Sequence, residues 1–158
     1  MSADAQGPGI RFPPPFVYVG GWLLAWLLDR RFEFRVDGAG PGSVQATLGL
    51  AILAVGLAVN FWGLLTFARH RTAIMPTRPA RLLVGVGPYR FTRNPMYVGL
   101  TGLYVGLALL VNWAWPLVAL PLVLAVISAY VIRREERHLR AVFGATYDDY
   151  CRRVRRWI

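Results

Sequence analysis

The chain has 158 residues, room for one domain, and its residues are 56 % hydrophobic and 16 % charged, with the apolar ones gathered in long blocks as in a lipid-facing protein. All eighteen basic residues are arginine, against eight acidic ones; a net charge of +10 suits nucleic acid or an anionic membrane surface, and the apolar blocks decide for the membrane. The single Cys151 excludes an internal disulfide, and it lies too far from the end of the chain to be a prenylation signal.

The first apolar block, Phe16 to Leu28, follows Pro13, Pro14 and Pro15 with only Arg11 as a basic flank. No small-x-small cleavage site follows it closely, so it reads as a mature membrane segment rather than a secretory signal. It is shorter than the ~20 residues of a spanning helix, and running on through Phe32 and Phe34 with snorkelling arginines gives a first helix over 16–34. The second block, helix 2 over 44–68, is broken only by Gln45, Thr47, Asn60 and Thr66 and can span with some tilt. Its Gly49, Gly56 and Gly63 recur every seven residues on roughly one face, where a neighbouring helix can approach closely.

The third and fourth blocks, Met96 to Val111 and Pro116 to Ile132, are joined by Asn112, Trp113, Ala114 and Trp115. So short a connection predicts an antiparallel helical hairpin over 96–132, with its Trp residues at a membrane interface. In the third block Gly99, Gly102 and Gly106 share a face, either as a helix-packing seam or as a groove for a lipid tail. The tail over 133–158 predicts two helices. The first carries Leu139, Val142 and Phe143 on one face and stops at Gly144; the second starts with a capping-box-like Thr146 and Asp149. Tyr147, Tyr150, Val154 and Trp157 would line one face of that second helix among arginines, a basic amphipathic helix suited to a membrane surface.

Arginine placement sets the expected orientation. The 69–95 loop carries Arg69, Arg71, Arg78, Arg81, Arg90 and Arg93 without an acidic residue, and the tail carries eight more. Both should be cytoplasmic, although Arg30, Arg31 and Arg35 in the first connection pull mildly the other way. The simplest solution is an all-α integral membrane protein, a single domain of about four transmembrane helices with both termini in the cytoplasm, a bacterial-type inner membrane being the expected setting.

Two segments offer chemistry. The long 69–95 loop ends in Gly87-Pro88-Tyr89-Arg90 and Arg93-Asn94-Pro95-Met96-Tyr97, where Asn94 and Pro95 predict an N-cap and first helical residue. Arg90 and Arg93 beside a helix start suit a carboxylate or phosphate, a lipid phosphate included. The hairpin returns Glu135 and Glu136 to the same membrane face, so carboxylates and arginines together could meet a zwitterionic ligand, such as an amino-acid headgroup or a sulfonium with a carboxylate. His70, His138 and Cys151 have no zinc-like spacing, and no metal is expected. There is no P-loop and no G-x-S-x-G elbow, Gly85-Val86-Gly87 lacks a strand-turn-helix setting, and no charged residue inside a membrane block offers a proton relay.

The run Gly87 to Arg90, then Arg93-Asn94-Pro95-Met96-Tyr97-Val98-Gly99, then Arg134-Glu135-Glu136 with Leu139, Phe143-Gly144, Tyr147 and Tyr150, resembles the isoprenylcysteine carboxyl methyltransferase family, related to the phospholipid methyltransferases. The resemblance covers about Arg69 to Ile158. It implies a membrane methyltransferase without a Rossmann domain, with S-adenosylmethionine bound from the cytosol and released as S-adenosylhomocysteine, and a lipidic acceptor with a carboxylate or amine head. Cofactor-binding residues would be Gly87, Tyr89, Arg90, Arg93, Asn94, Pro95, Tyr97, Glu135 and Glu136. Arg93 would hold a carboxylate as the catalytic residue, and Gly99, Gly102 and Gly106 would form the substrate groove. Asn94 stands where eukaryotic members commonly have His, which weakens transfer of the prenylcysteine substrate. Membrane lipids are the expected partners, with no nucleic acid and no obligatory protein partner; the rivals are an NADPH-using membrane reductase and a non-enzymatic binder of anionic lipid.

Overall fold

The computed structural model describes residues 8–10, 12–36, 43–70 and 83–158. The elements are α1 (Pro15–Asp29), α2 (Val44–Arg69), a 3-10 turn (Gly87–Arg90), α3 (Pro95–Leu110), α4 (Trp115–Val126), a π segment (Ile127–Ile132), α5 (Arg133–Phe143) and α6 (Ala145–Arg153). Among the described residues no strand forms, and the β-type contact is an isolated bridge between Thr92 and Arg155. α2 starts at Ser43, whose hydroxyl accepts from the Ala46 N–H at 3.2 Å as an N-cap should. α4, the π segment and α5 form one unbroken helix of 29 residues. Its apolar part ends at Ile132, and α5 is charged from Arg133 onward, so α5 projects beyond the apolar layer. This helix and α2 are long and apolar enough to cross a membrane; α1 and α3 have 15 and 16 residues.

The helices alternate in direction. At one end the Arg134 guanidinium donates to the Gly9 carbonyl at 3.1 Å and Ile10 packs with Ile132, so α1 begins beside α5. At the other end the Phe32 and Phe34 carbonyls accept from Trp115 Nε1 at 2.6 Å and the Ala114 N–H at 3.1 Å, and Gln45 donates to the Leu109 carbonyl at 2.7 Å. The first helix therefore stops at Asp29 instead of reaching residue 34. Asp29 itself turns the chain, accepting from the Phe34 N–H and from Arg35, and the carbonyls expected inside a helix cap the α3–α4 turn instead.

Within this bundle α2 lies antiparallel on α3 and α1 lies on α4, with the α3–α4 contact slighter than either. The α2–α3 seam is glycine on glycine. A Cβ on Gly56 would stand 2.8 Å from the Gly99 carbonyl oxygen and from Leu103 N, one on Gly49 would stand 2.9 Å from the Gly106 carbonyl oxygen, and one on Gly99 would collide with the Asn60 side chain. A Cβ on Gly102 would stand 3.1 Å from the Gly56 Cα. The substrate groove expected at Gly99, Gly102 and Gly106 is therefore filled by α2 itself, because two glycine stripes meeting bring the backbones too close for a lipid tail. On the α1–α4 side, Tyr18, Tyr104, Val123, Ile127 and Val131 form the core, with the Tyr18 and Tyr104 rings 5.9 Å apart.

α5 and α6 meet at Gly144, whose φ of +51° ends one helix and starts the next in a backbone region that side chains disfavour. Neither Thr146 nor Asp149 caps, because α6 already begins at Ala145. The apolar face of α6 is turned inward: Tyr147, Tyr150 and Val154 are buried against Leu83, Leu139, Phe143 and Cys151, which removes the expected membrane-surface role for that face. Val154 leaves the helix in an extended conformation, so Trp157 is not on that face and packs instead on the main core.

Candidate functional site

Gly87 opens the 3-10 turn at φ +61°, and a Cβ there would stand 2.7 Å from Thr66 Oγ1, so the turn lies tight against α2. Tyr89 is buried, its ring 4.9 Å from that of Phe67 and its carbonyl accepting the Tyr150 hydroxyl at 2.6 Å. Arg90 is exposed, with its guanidinium 5.5 Å from the Phe91 ring centre, and thus does not join Arg93 at the helix start as expected. Neighbours along a 3-10 turn point to different sides, which sends Tyr89 inward and Arg90 out.

The start of α3 is held from outside its own helix. Asn94 occupies the N-cap position, yet its side chain makes no capping bond: Nδ2 donates to the Arg156 carbonyl at 2.8 Å, and its N–H donates to Thr92 Oγ1 at 3.1 Å. The Thr92 hydroxyl donates to the same Arg156 carbonyl at 3.2 Å, and the Arg93 N–H donates to the Arg155 carbonyl at 2.9 Å. Pro95 is fully buried behind them. The Arg93 guanidinium donates through NH1 to Cys151 Sγ at 2.7 Å and stands 3.2 Å from Glu136 Oε1. Its Nε is buried with no hydrogen-bond partner among the described residues.

The two glutamates sit just past the π segment. A π turn holds one more residue than an α turn and so rotates the next helical turn by roughly 100°. With that phase Glu135 faces α3, where Oε1 accepts the Tyr97 hydroxyl at 2.6 Å. Glu136 faces the arginines: Arg156 Nε donates to Oε1 at 2.9 Å and NH2 to Oε2 at 2.6 Å, a two-point clamp beside Arg93. Burial pushes the Glu135 carboxyl up to about 7, opposed by the Tyr97 hydrogen bond and reinforced by the nearby Glu136 charge. The hydrogen bonds to Glu136 hold the Arg156 guanidinium above its ordinary value.

Arg93, Asn94, Pro95, Tyr97, Glu135 and Glu136 are thus brought together, and the Tyr89 phenol, held neutral first by burial, also feels the Glu135 charge. Gly87 stands to the side against α2, Arg90 faces out, and the α3 glycines belong to the seam. The arginines and carboxylates do meet on one face, but Arg93 and Glu136 are already turned on each other. Sequence reasoning missed Thr92, Cys151 and above all Arg156, one arginine among four in a basic run, with no local pattern to mark it.

Apolar helices that alternate in direction, two of them long enough to cross a membrane, with a cluster of partly buried charge at one end, are the build of a membrane protein. The phospholipid methyltransferase family matches residues 44–146, more than half of the chain, and the chain belongs to that family. It is a membrane methyltransferase, in line with the resemblance drawn from the two motifs; the first of them and the second as far as Gly144 fall inside the match, with Tyr147 and Tyr150 just past it. No curated protein and no solved structure matches the chain.

Proposed function

We propose that the protein transfers a methyl group from S-adenosylmethionine to a lipidic acceptor with an amine or carboxylate head, at the end of the bundle where α3 begins and α5 leaves the apolar layer. The observation that carries this reading is Glu135, a half-buried carboxylate that accepts the Tyr97 phenol at one oxygen and keeps acceptor capacity for an ammonium or ribose hydroxyls. The donor set fits the cofactor at its other end too. Arg93 Nε is a buried N–H without a partner among the described residues, and a carboxylate is its natural acceptor. When bound, S-adenosylmethionine supplies a methyl carbon activated by a sulfonium, open to in-line displacement. Within such a site Glu135 balances positive charge, Tyr97 fixes the Glu135 rotamer, and Arg93, steadied by Glu136, orients a carboxylate. Positioning and charge are what these residues supply, and a displacement of this kind asks for little else.

The α2–α3 seam is closed, so the acceptor's chain approaches from elsewhere on the bundle. Orientation with this end in the cytoplasm is supported by the arginines of the 69–95 loop and the tail. The test is calorimetric titration of detergent-solubilised protein with S-adenosylhomocysteine and then NADPH. Binding of the first alone is expected. Binding of NADPH alone, or of neither, overturns the S-adenosylmethionine reading.

A further inference from the structure

The geometry points to Arg156, outside both site motifs and beyond the family match, as the positioning residue that joins them and assigns the two glutamates different work. The inference rests on the methyl-donor reading and deepens it. Arg156 acts through two separate groups. Its backbone carbonyl accepts from Thr92 and Asn94, which with the Arg93 N–H to Arg155 leaves each of these three loop residues bonded to the segment after α6. Its guanidinium clamps both oxygens of Glu136. One residue therefore grips the start of α3 by its main chain and α5 by its side chain.

The consequence is a division of labour. Glu136 is 9 % exposed and carries Arg156 at both oxygens and Arg93 at one, so its charge is taken up by the clasp. Glu135 is left as the ligand-facing carboxylate. The clasp also sets the charge that Glu135 sees. Around Glu135 stand Tyr97 from α3, Tyr89 from the 3-10 turn and Glu136 on its own helix. Removing the Arg156 charge leaves Glu136 compensated by Arg93 alone, and a less compensated neighbour makes Glu135 harder to ionise.

Arg156→Gln removes the clamp while the backbone carbonyl keeps its place; Arg156→Lys returns the charge without the two-point fork. Two readouts are needed. The first needs no cofactor: Cys151 is held under the Arg93 guanidinium, so loosening the clasp raises its alkylation rate by a soluble maleimide several-fold in Arg156→Gln and less in Arg156→Lys. The second is S-adenosylhomocysteine affinity against pH. Arg156→Gln lowers it about tenfold, the scale of one charged hydrogen bond, and moves the midpoint of its pH profile upward. Adding Glu136→Gln returns the midpoint toward wild type without restoring affinity, an outcome that a general loss of folding does not give. Unchanged alkylation together with an unchanged pH profile overturns the clasp. Wild-type protein that binds no S-adenosylhomocysteine sinks the methyl-donor reading instead, and with it this use of the clasp, whatever the alkylation rates show.

Discussion

A carboxylate gripped by two guanidiniums and a carboxylate touched by one phenol answer the same substitution differently. Glu136→Gln leaves Arg93 and Arg156 facing a neutral amide, with Arg93 half buried; its expected effect is a lower unfolding temperature together with weaker ligand binding. Glu135→Gln keeps the shape and can still accept from Tyr97, so it should leave stability nearly unchanged and weaken S-adenosylhomocysteine binding by about 1.5–3 kcal/mol. Thermal unfolding and calorimetry on both variants separate these patterns. The pH dependence has a definite sign. With its carboxyl pushed up to about 7, Glu135 is protonated in free protein below that value and cannot balance a cation, so affinity falls as pH drops from 8 to 6. For stability the sign is the reverse. A carboxyl raised on folding favours the fold while protonated, and that contribution fades as pH rises from the unfolded value toward 7. The slope in affinity should vanish in Glu135→Gln; a slope that persists there assigns the titration to another group.

Between elements the decisive contact is the α2–α3 seam. A Cβ on Gly106 would stand 2.5 Å from Leu53 N and 2.7 Å from the Gly49 carbonyl oxygen, both backbone atoms that cannot swing away. Gly106→Ala should force the helices apart and cost about 1–3 kcal/mol, read as a lower unfolding temperature in detergent. Gly20→Ala, with nothing among the described residues within 4 Å of the new methyl, is the matched control and should be neutral or slightly stabilising. An equal effect of both would mean that α2 and α3 do not pack as described. The glycine period showed in the sequence, since a seven-residue spacing needs no tertiary knowledge, but whether the facing stripe was lipid or helix did not. That depended on α2 choosing α3 rather than α4 as its neighbour. The pairing of Tyr97 with Glu135 could be anticipated only as proximity, from the length of the hairpin. The Arg156 clasp was invisible because nothing local distinguishes it from Arg152, Arg153 and Arg155. The inward turn of Tyr147 and Tyr150 was hidden for a related reason: amphipathicity announces an apolar face and is silent on what covers it.

For the molecule as a whole, the site faces a cytosolic cofactor only if the α5 end of the bundle is cytoplasmic, and the structure sharpens the charge argument for that orientation. The connection after α1 counted against it, because Arg30, Arg31 and Arg35 lie there. Yet Arg35 is held by Asp29 at 3.2 Å and Glu33 at 2.9 Å, so the three arginines at this end stand beside two carboxylates. At the other end Arg133, Arg137, Arg153 and Arg155 are exposed, and among the described residues Glu136 pairs with Arg93 and Arg156. The basic excess therefore gathers at the α5 end. In a Cys151→Ser background, Glu33→Cys and Ala145→Cys each place a thiol at an exposed position, on opposite ends of the bundle. A membrane-impermeant maleimide added to intact cells should label the thiol at position 33 and spare the one at 145, which becomes reactive once the membrane is opened. Labelling at 145 alone in intact cells would put Glu135 outside, away from cytosolic S-adenosylmethionine. Labelling of both would break the alternation of four helices across the membrane.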